Sequence, residues 1–272
     1  NYIYYISTFN WIDDRIKKNF HMHNYNEIKQ HIIDKILSSE LLNHPFDHKF
    51  VEDVFPINFY NDLLANIPDK SDFVPINKTA AVTPDYSPER FIFNFQEENI
   101  INRLESSKKK FLQNFLEILV SKDLFTSVTS QFSKTIDARL RNLSDAEKEE
   151  CGFPNLNFTI RTSLIKDFTK YFLGAHTDTT TKFVTFLFYL PSNKNLQKVG
   201  TALYQPLHNA DTEKHHSVEE TKQNFRKIKT CPFIPNSVLI FPRTSMSFHG
   251  VEEVNIDQKE RNILQLNYHF KV

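Results

Sequence analysis

Residues 173–191 read LGAHTDTTTKFVTFLFYLP. His176 and Asp178 flank a single threonine, and a dense β-branched and aromatic run follows until Pro191 closes it. Such a run predicts a buried strand. Residues i and i+2 of a strand point to one face, so His176 and Asp178 could reach one metal ion if that face lines a barrel mouth. The pair alone is weak evidence. The chain has eleven histidines, and scraps such as HMH at 21–23 and HPFDH at 44–48 arise easily. A third ligand is required, and the best placed is His249 in SFHGV, a second predicted strand with Gly250 beside the histidine. Two histidines and one carboxylate form the facial set of non-haem Fe(II) oxygenases, which leaves octahedral positions open.

From about residue 153 onward the chain keeps one rhythm. NLNFTIRTSLIKDF, KFVTFLFYLP, GTALYQPL, SVLIFP, SFHGVEEV and RNILQLNYHF are short, β-branched or aromatic, and bounded by Pro, Gly, Asn or Ser. The half before them reads helical. YNEIKQHIIDKILSSELL puts Ile28, Ile32, Ile33, Ile36 and Leu37 on one face. NFYNDLLANIP (58–68) has an Asn start and a Pro stop. EENIINRLESSKKKFLQNFLEILV (97–120) is read as one helical run, and a shorter helix covers Leu124, Phe125, Val128 and Phe132. Residues 70–95 read as loops with short strands. Helices followed by strands predict an α+β domain, and strands at this spacing suit a sandwich or jelly roll. The charged segment 207–230 is read as a partly helical lid, with His208, His215 and His216 as solvated surface residues.

Bulk composition excludes several classes. The 272 residues are 40% hydrophobic and include 26 Phe, enough for a sizeable core. Thirty-three basic and thirty-three acidic residues cancel, which gives no electrostatic footprint for nucleic acid. No apolar run is long enough for a membrane span, and the opening residues do not read as a charged-then-apolar signal peptide, so none is expected. The first residue is Asn1 rather than Met, which leaves a longer parent protein open. Two cysteines, Cys151 and Cys231, make no disulfide framework, and a reducing cytoplasm is expected. Three of the four glycines, Gly174, Gly200 and Gly250, fall beside the candidate site or its flanking strands, where close backbone approach is expected.

Twelve residues after His249, Arg261 opens the strand-like RNILQLNYHF. A guanidinium at the end of an apolar inward-facing strand needs an anion, because a buried charge without a partner is costly. A dicarboxylate cosubstrate would supply one, held bidentately.

HTD, then FHGV, then Arg261 resembles the 2-oxoglutarate/Fe(II)-dependent dioxygenase superfamily, most closely its prolyl-hydroxylase-like branch. The similarity covers about 153–272 well and the helical half in general layout. It implies a double-stranded β-helix, or jelly roll, with N-terminal support helices. It also implies a helical extension over 1–48 and an oxygenase domain over 49–272. His176, Asp178 and His249 would be the iron ligands, and Arg261 would pair with the distal carboxylate of 2-oxoglutarate. Tyr189 sits where this branch often has a tyrosine on that carboxylate, although a core aromatic is an equal reading. Leu203 would pack near the cosubstrate, and Thr185 is a pocket-wall candidate. The implied cofactors are Fe(II), 2-oxoglutarate and O2, and the implied outcome is hydroxylation of an unactivated C–H. Retention of Asp178 favours this over halogenation, whose enzymes replace the carboxylate with a small residue. The aromatic-rich composition suits a small-molecule pocket. Two alternatives stay open: a cupin-like metal oxygenase that does not use 2-oxoglutarate, and a non-catalytic jelly-roll binding module.

Overall fold

The computed structural model describes residues 5–6, 23–79, 82, 86–254 and 260–271. Its helices are α1 (Tyr25–Ser38), α2 (Ile57–Ala65), α3 (Glu98–Ile101), α4 (Ser106–Leu119), α5 (Lys122–Gln131), α6 (Ser133–Arg141), α7 (Asp145–Cys151) and α8 (Val218–Asn224). Its strands are β1 (Tyr5–Ile6), β2 (Lys49–Glu52), β3 (Val74–Pro75), β4 (Arg90–Asn94), β5 (Asn157–Asp167) and β6 (Leu173–His176). They continue with β7 (Lys182–Tyr189), β8 (Thr201–Pro206), β9 (Phe225–Cys231), β10 (Ser237–Pro242), β11 (His249–Val251) and β12 (Arg261–Phe270).

The strands form two sheets. The major sheet runs β2-β10-β7-β12-β5-β4-β3, with β1 added in parallel to β5, and the minor sheet runs β6-β11-β8-β9. All pairings except β1 with β5 are antiparallel. Consecutive strands alternate between the sheets along β5-β6-β7-β8 and β9-β10-β11-β12, which is the double-stranded β-helix.

Strand alternation divides the major sheet cleanly. On one face Phe158, Leu164, Phe186, Phe188, Ile240, Leu264, Leu266 and Tyr268 share a core with Ile28, Ile32, Phe59, Phe115 and Phe125 of the helices. Burying each large side chain is worth roughly 1.5–3 kcal/mol, so this apolar face holds the helices on the sheet. On the other face Ile165, Tyr189, Leu239, Phe241 and Ile263 pack with Leu203 and Cys231 of the minor sheet. The odd-numbered residues of β12, from Arg261 to His269, therefore face the cleft between the sheets.

Several local expectations need correction. Leu37 is 42% exposed rather than on the buried face of α1. The run 97–120 breaks into α3 and α4, because Glu105 caps α4 by accepting from the backbone N–H groups of Ser107 and Lys108. Helices α6 and α7 occupy a region given no element from sequence; each buries few residues, Ile136 and Leu140 in α6 and Cys151 in α7. The last part of the 207–230 segment is not lid but strand β9, paired along β8. Cys151 and Cys231 are both buried free thiols. Among the described residues no helix is long and apolar enough to cross a membrane.

Candidate active site

His176 ends β6 and His249 begins β11, and the two are direct cross-strand partners. Their ring centroids lie 4.3 Å apart. Asp178 is not on the strand, as the i, i+2 argument assumed, but in the turn that leaves it. The turn brings its carboxylate round all the same: one ligand atom from each of the three residues lies within 4.8 Å of the others. All three are at most 6% exposed.

Each imidazole is fixed through the nitrogen that faces the backbone. Nδ1 of His176 donates to the Gly174 carbonyl at 2.9 Å, and Nδ1 of His249 donates to the Ser247 carbonyl at 3.0 Å. A carbonyl can only accept, so Nδ1 carries the proton and Nε2 keeps its lone pair. Burial first, then the neighbouring rings of His249 and His215, hold His176 well below its ordinary pKa. Burial likewise lowers His249. Burial alone would raise Asp178, but Lys182 and then the two imidazoles outweigh it and hold the carboxyl well below its usual range. Two neutral imidazoles and one carboxylate are the protonation states a divalent metal requires.

Asp178 is held from β7. Lys182 Nζ lies 2.5 Å from Oδ1, and the Thr185 hydroxyl donates to Oδ2 at 2.6 Å. Thr185 therefore orients the carboxylate, a role beyond the pocket wall its spacing suggested. Arg243 reaches the Asp178 backbone carbonyl at 3.2 Å.

The glycines explain how the site closes. A Cβ on Gly174 would lie 1.7 Å from the His216 carbonyl oxygen, and one on Gly250 would lie 2.5 Å from that of Leu173. Only glycine permits either approach. The segment that docks on Gly174 bonds the His216 N–H to the Ala175 carbonyl. His216 is buried rather than solvated. His215, although exposed, lies against His176 with ring centroids 4.3 Å apart and planes tilted by 31°. The segment thus docks against the His176 end of β6, the side on which the sequence reading expected a lid.

Arg261 is fully buried. The anion that its sequence context demanded is in part internal: Nη1 donates to Asp167 Oδ2 at 2.7 Å, and Nε donates to the Val199 carbonyl at 2.6 Å. Asp167 is its direct partner across β5 and β12. Arg90, the partner of Asp167 across β4, grips the same carboxylate with Nε and Nη2 at 2.7 and 3.0 Å. Two guanidiniums on one carboxylate leave a buried positive charge in excess, and Arg261 Nη2 is buried with no hydrogen-bond partner. Tyr189 is buried beside this group; its hydroxyl donates to Thr201 Oγ1 at 2.7 Å, and its ring centroid lies 5.9 Å from the Arg261 guanidinium carbon. Leu203 pairs directly with His249 and packs against the same apolar cluster as Tyr189. A separate open pocket of about 500 Å³, lined by Lys70, Lys166, Asn193 and Glu260 among others, contains none of His176, Asp178, His249 and Arg261.

No protein-family model matches the chain, and no curated protein matches it. Among solved structures it is similar to a prolyl-4-hydroxylase of Pseudomonas putida at 12% identity and a TM-score of 0.48, covering 90% of this chain and 100% of that one. It is similar to HygX from Streptomyces hygroscopicus, with nickel, 2-oxoglutarate and hygromycin B bound, at 10% identity and a TM-score of 0.43 over 82% of both chains. It is also similar to the dioxygenase for auxin oxidation 1 from Arabidopsis thaliana, in complex with 2-oxoglutarate, at 10% identity and a TM-score of 0.47 over 92% of this chain and 91% of that one. These are distant likenesses of shape, and the functional reading is carried by this chain's own site.

Proposed function

We propose that the protein is a 2-oxoglutarate- and O2-dependent non-haem iron oxygenase that hydroxylates an unactivated C–H of a small molecule. One combined observation supports the reading. A buried His176–Asp178–His249 set with two free Nε2 atoms opens onto the inter-sheet cleft, where Arg261 keeps a buried, unpartnered Nη2. The donor set fits iron, since two imidazoles and a carboxylate leave three positions for a chelating cosubstrate and O2. The orphan Nη2 and the excess positive charge fit the far carboxylate of a dicarboxylate.

Bound iron with 2-oxoglutarate supplies oxidising power through decarboxylation to succinate and CO2, which puts one oxygen atom on substrate. The chain's own part is placement and exclusion. His176, Asp178 and His249 hold the ion, and Thr185 fixes the carboxylate's orientation. Arg261 orients the cosubstrate, with Tyr189 beside it and Leu203 as an apolar wall. The segment around His215 and His216 covers the histidine pair and keeps bulk water away. No side chain is needed as a general base. Two buried free thiols suit a reducing, cytoplasmic setting.

The Asp167–Arg261 pair also favours a second reading, a metal oxygenase that makes no use of 2-oxoglutarate, because Arg261 already has an anion. Succinate release separates the two. Purified protein with Fe(II), ascorbate and 2-oxoglutarate should release succinate, and His176→Ala should not. Iron binding without succinate, in wild type, supports the second reading.

A further inference from the structure

The inward face of the major sheet carries further polar groups beside the residues that hold Asp178. Asn267 stands directly between Thr185 on β7 and Arg161 on β5, and His269 stands opposite Lys182. Thr185 and Lys182 are the two residues that hold Asp178. The two rungs therefore lead sideways from the metal site across β12 to β5.

Asn267 is 7% exposed and His269 6% exposed. The Asn267 Oδ1 is buried without a partner. Among the described residues neither the Asn267 amide nor the His269 ring makes a hydrogen bond, and Arg161 makes no ion pair. Leaving the buried Asn267 Oδ1 unpaired costs roughly 1–3 kcal/mol, so a fold keeps it where something else completes it. The charge around them is specific. The register sets Lys182 opposite His269 and Arg161 opposite Asn267, and after burial these two cations help push His269 down to about 3. Asp178 acts on it in the opposite sense, and in the oxygenase reading that carboxylate holds the metal. A neutral imidazole and an amide can each donate, and Arg161 adds a charged fork.

We propose that Arg161, Asn267 and His269 form the subsite that holds an anionic group, carboxylate or phosphoryl, of the substrate. The assignment rests on the oxygenase reading, since it places the substrate's anion across from Thr185 and Lys182, the residues that hold Asp178, and its reacting carbon over the ion.

The test uses the full chain loaded with Mn(II) and saturating 2-oxoglutarate, so that Arg261 is already engaged. Isothermal titration then follows acetate in one arm and sulfate in the other; sulfate is a weak metal ligand with the shape of a phosphoryl group. One of the two should bind, and the arm that responds names the group. Arg161→Gln, at an exposed position, should weaken that binding about tenfold or more, and Asn267→Leu should weaken it as well, in variants shown to hold 2-oxoglutarate. The proposal is overturned if neither anion binds, if Arg161→Gln binds as wild type does, or if the anion acts only by displacing 2-oxoglutarate. If no 2-oxoglutarate complex forms at all, the oxygenase reading fails first and this subsite goes with it.

Discussion

Lys182 Nζ lies 2.5 Å from Oδ1 of Asp178, so the carboxylate assigned to the metal already carries a cation, four residues along the same chain. Thr185 occupies the other oxygen. The two contacts differ in what they do when an ion arrives. Thr185 is a neutral donor that fixes orientation, whereas the Lys182 charge competes with the metal. Thr185→Val should therefore weaken Mn(II) or Co(II) binding by about 10-fold. Lys182→Met should tighten it by a factor on the order of ten, the scale of Coulomb repulsion in a partly solvated site. Metal titration of both variants checks the pair; equal loss in both would mean Lys182 only positions the carboxylate.

Arg261 can be removed without stranding its neighbour, because Asp167 keeps two contacts from Arg90. Arg261→Ala should leave metal affinity in place and weaken 2-oxoglutarate binding by about 100-fold, the scale of losing a buried charge-assisted pair. Asp167→Asn is different. It leaves two guanidiniums without an anion and should cost about 3–5 kcal/mol of stability, read by denaturant unfolding. An unchanged 2-oxoglutarate affinity in Arg261→Ala would favour the oxygenase that does not use it.

Acid should destabilise the metal-free protein through its buried imidazoles. The folded pKa of His269 is lowered to about 3, while the unfolded value lies near 6.5. Below the unfolded value the unfolded chain binds more protons, so stability is full above it and falls as pH drops toward the folded value. At about pH 5 this single group accounts for up to about 2 kcal/mol. His269→Gln should flatten the stability–pH curve between those limits. A curve parallel to wild type would show that His269 is not held neutral.

Gly174→Ala tests how the cover over the histidines docks. The added methyl would meet the His216 carbonyl, and backbone must move. A loss of about 1–3 kcal/mol is expected, with faster proteolysis around residues 208–217. Wild-type protease resistance in that segment would contradict the close approach.

Much of this was legible because the informative residues are chemically rare in their settings. Histidine beside aspartate before an apolar strand, and arginine at the head of another, stand out from their neighbours; so do glycines in a chain with only four. What surrounds them was not legible. Asp167 lies in IKDF with no local mark, and Arg90 reaches it from another strand, so the internal pairing of Arg261 needed the three-strand register. The place of Asn267 beside Thr185 came from the same source. Helix α6 eluded periodicity because only two of its nine residues are buried. The break between α3 and α4 had no glycine or proline to announce it. His216 looked like a surface residue, and the contact of exposed His215 with His176 went unseen, because both depend on where the 207–217 segment docks, not on its composition.

The most direct measurement is an anaerobic titration of the metal-free protein with Fe(II) and then 2-oxoglutarate, followed in the visible range. A metal-to-ligand charge-transfer band should appear only after both are added. The band should be absent in Asp178→Ala, and in Arg261→Ala it should require far more 2-oxoglutarate. Well-folded wild-type protein that binds no iron, or that binds iron and gives no band with saturating 2-oxoglutarate, would contradict the proposed function.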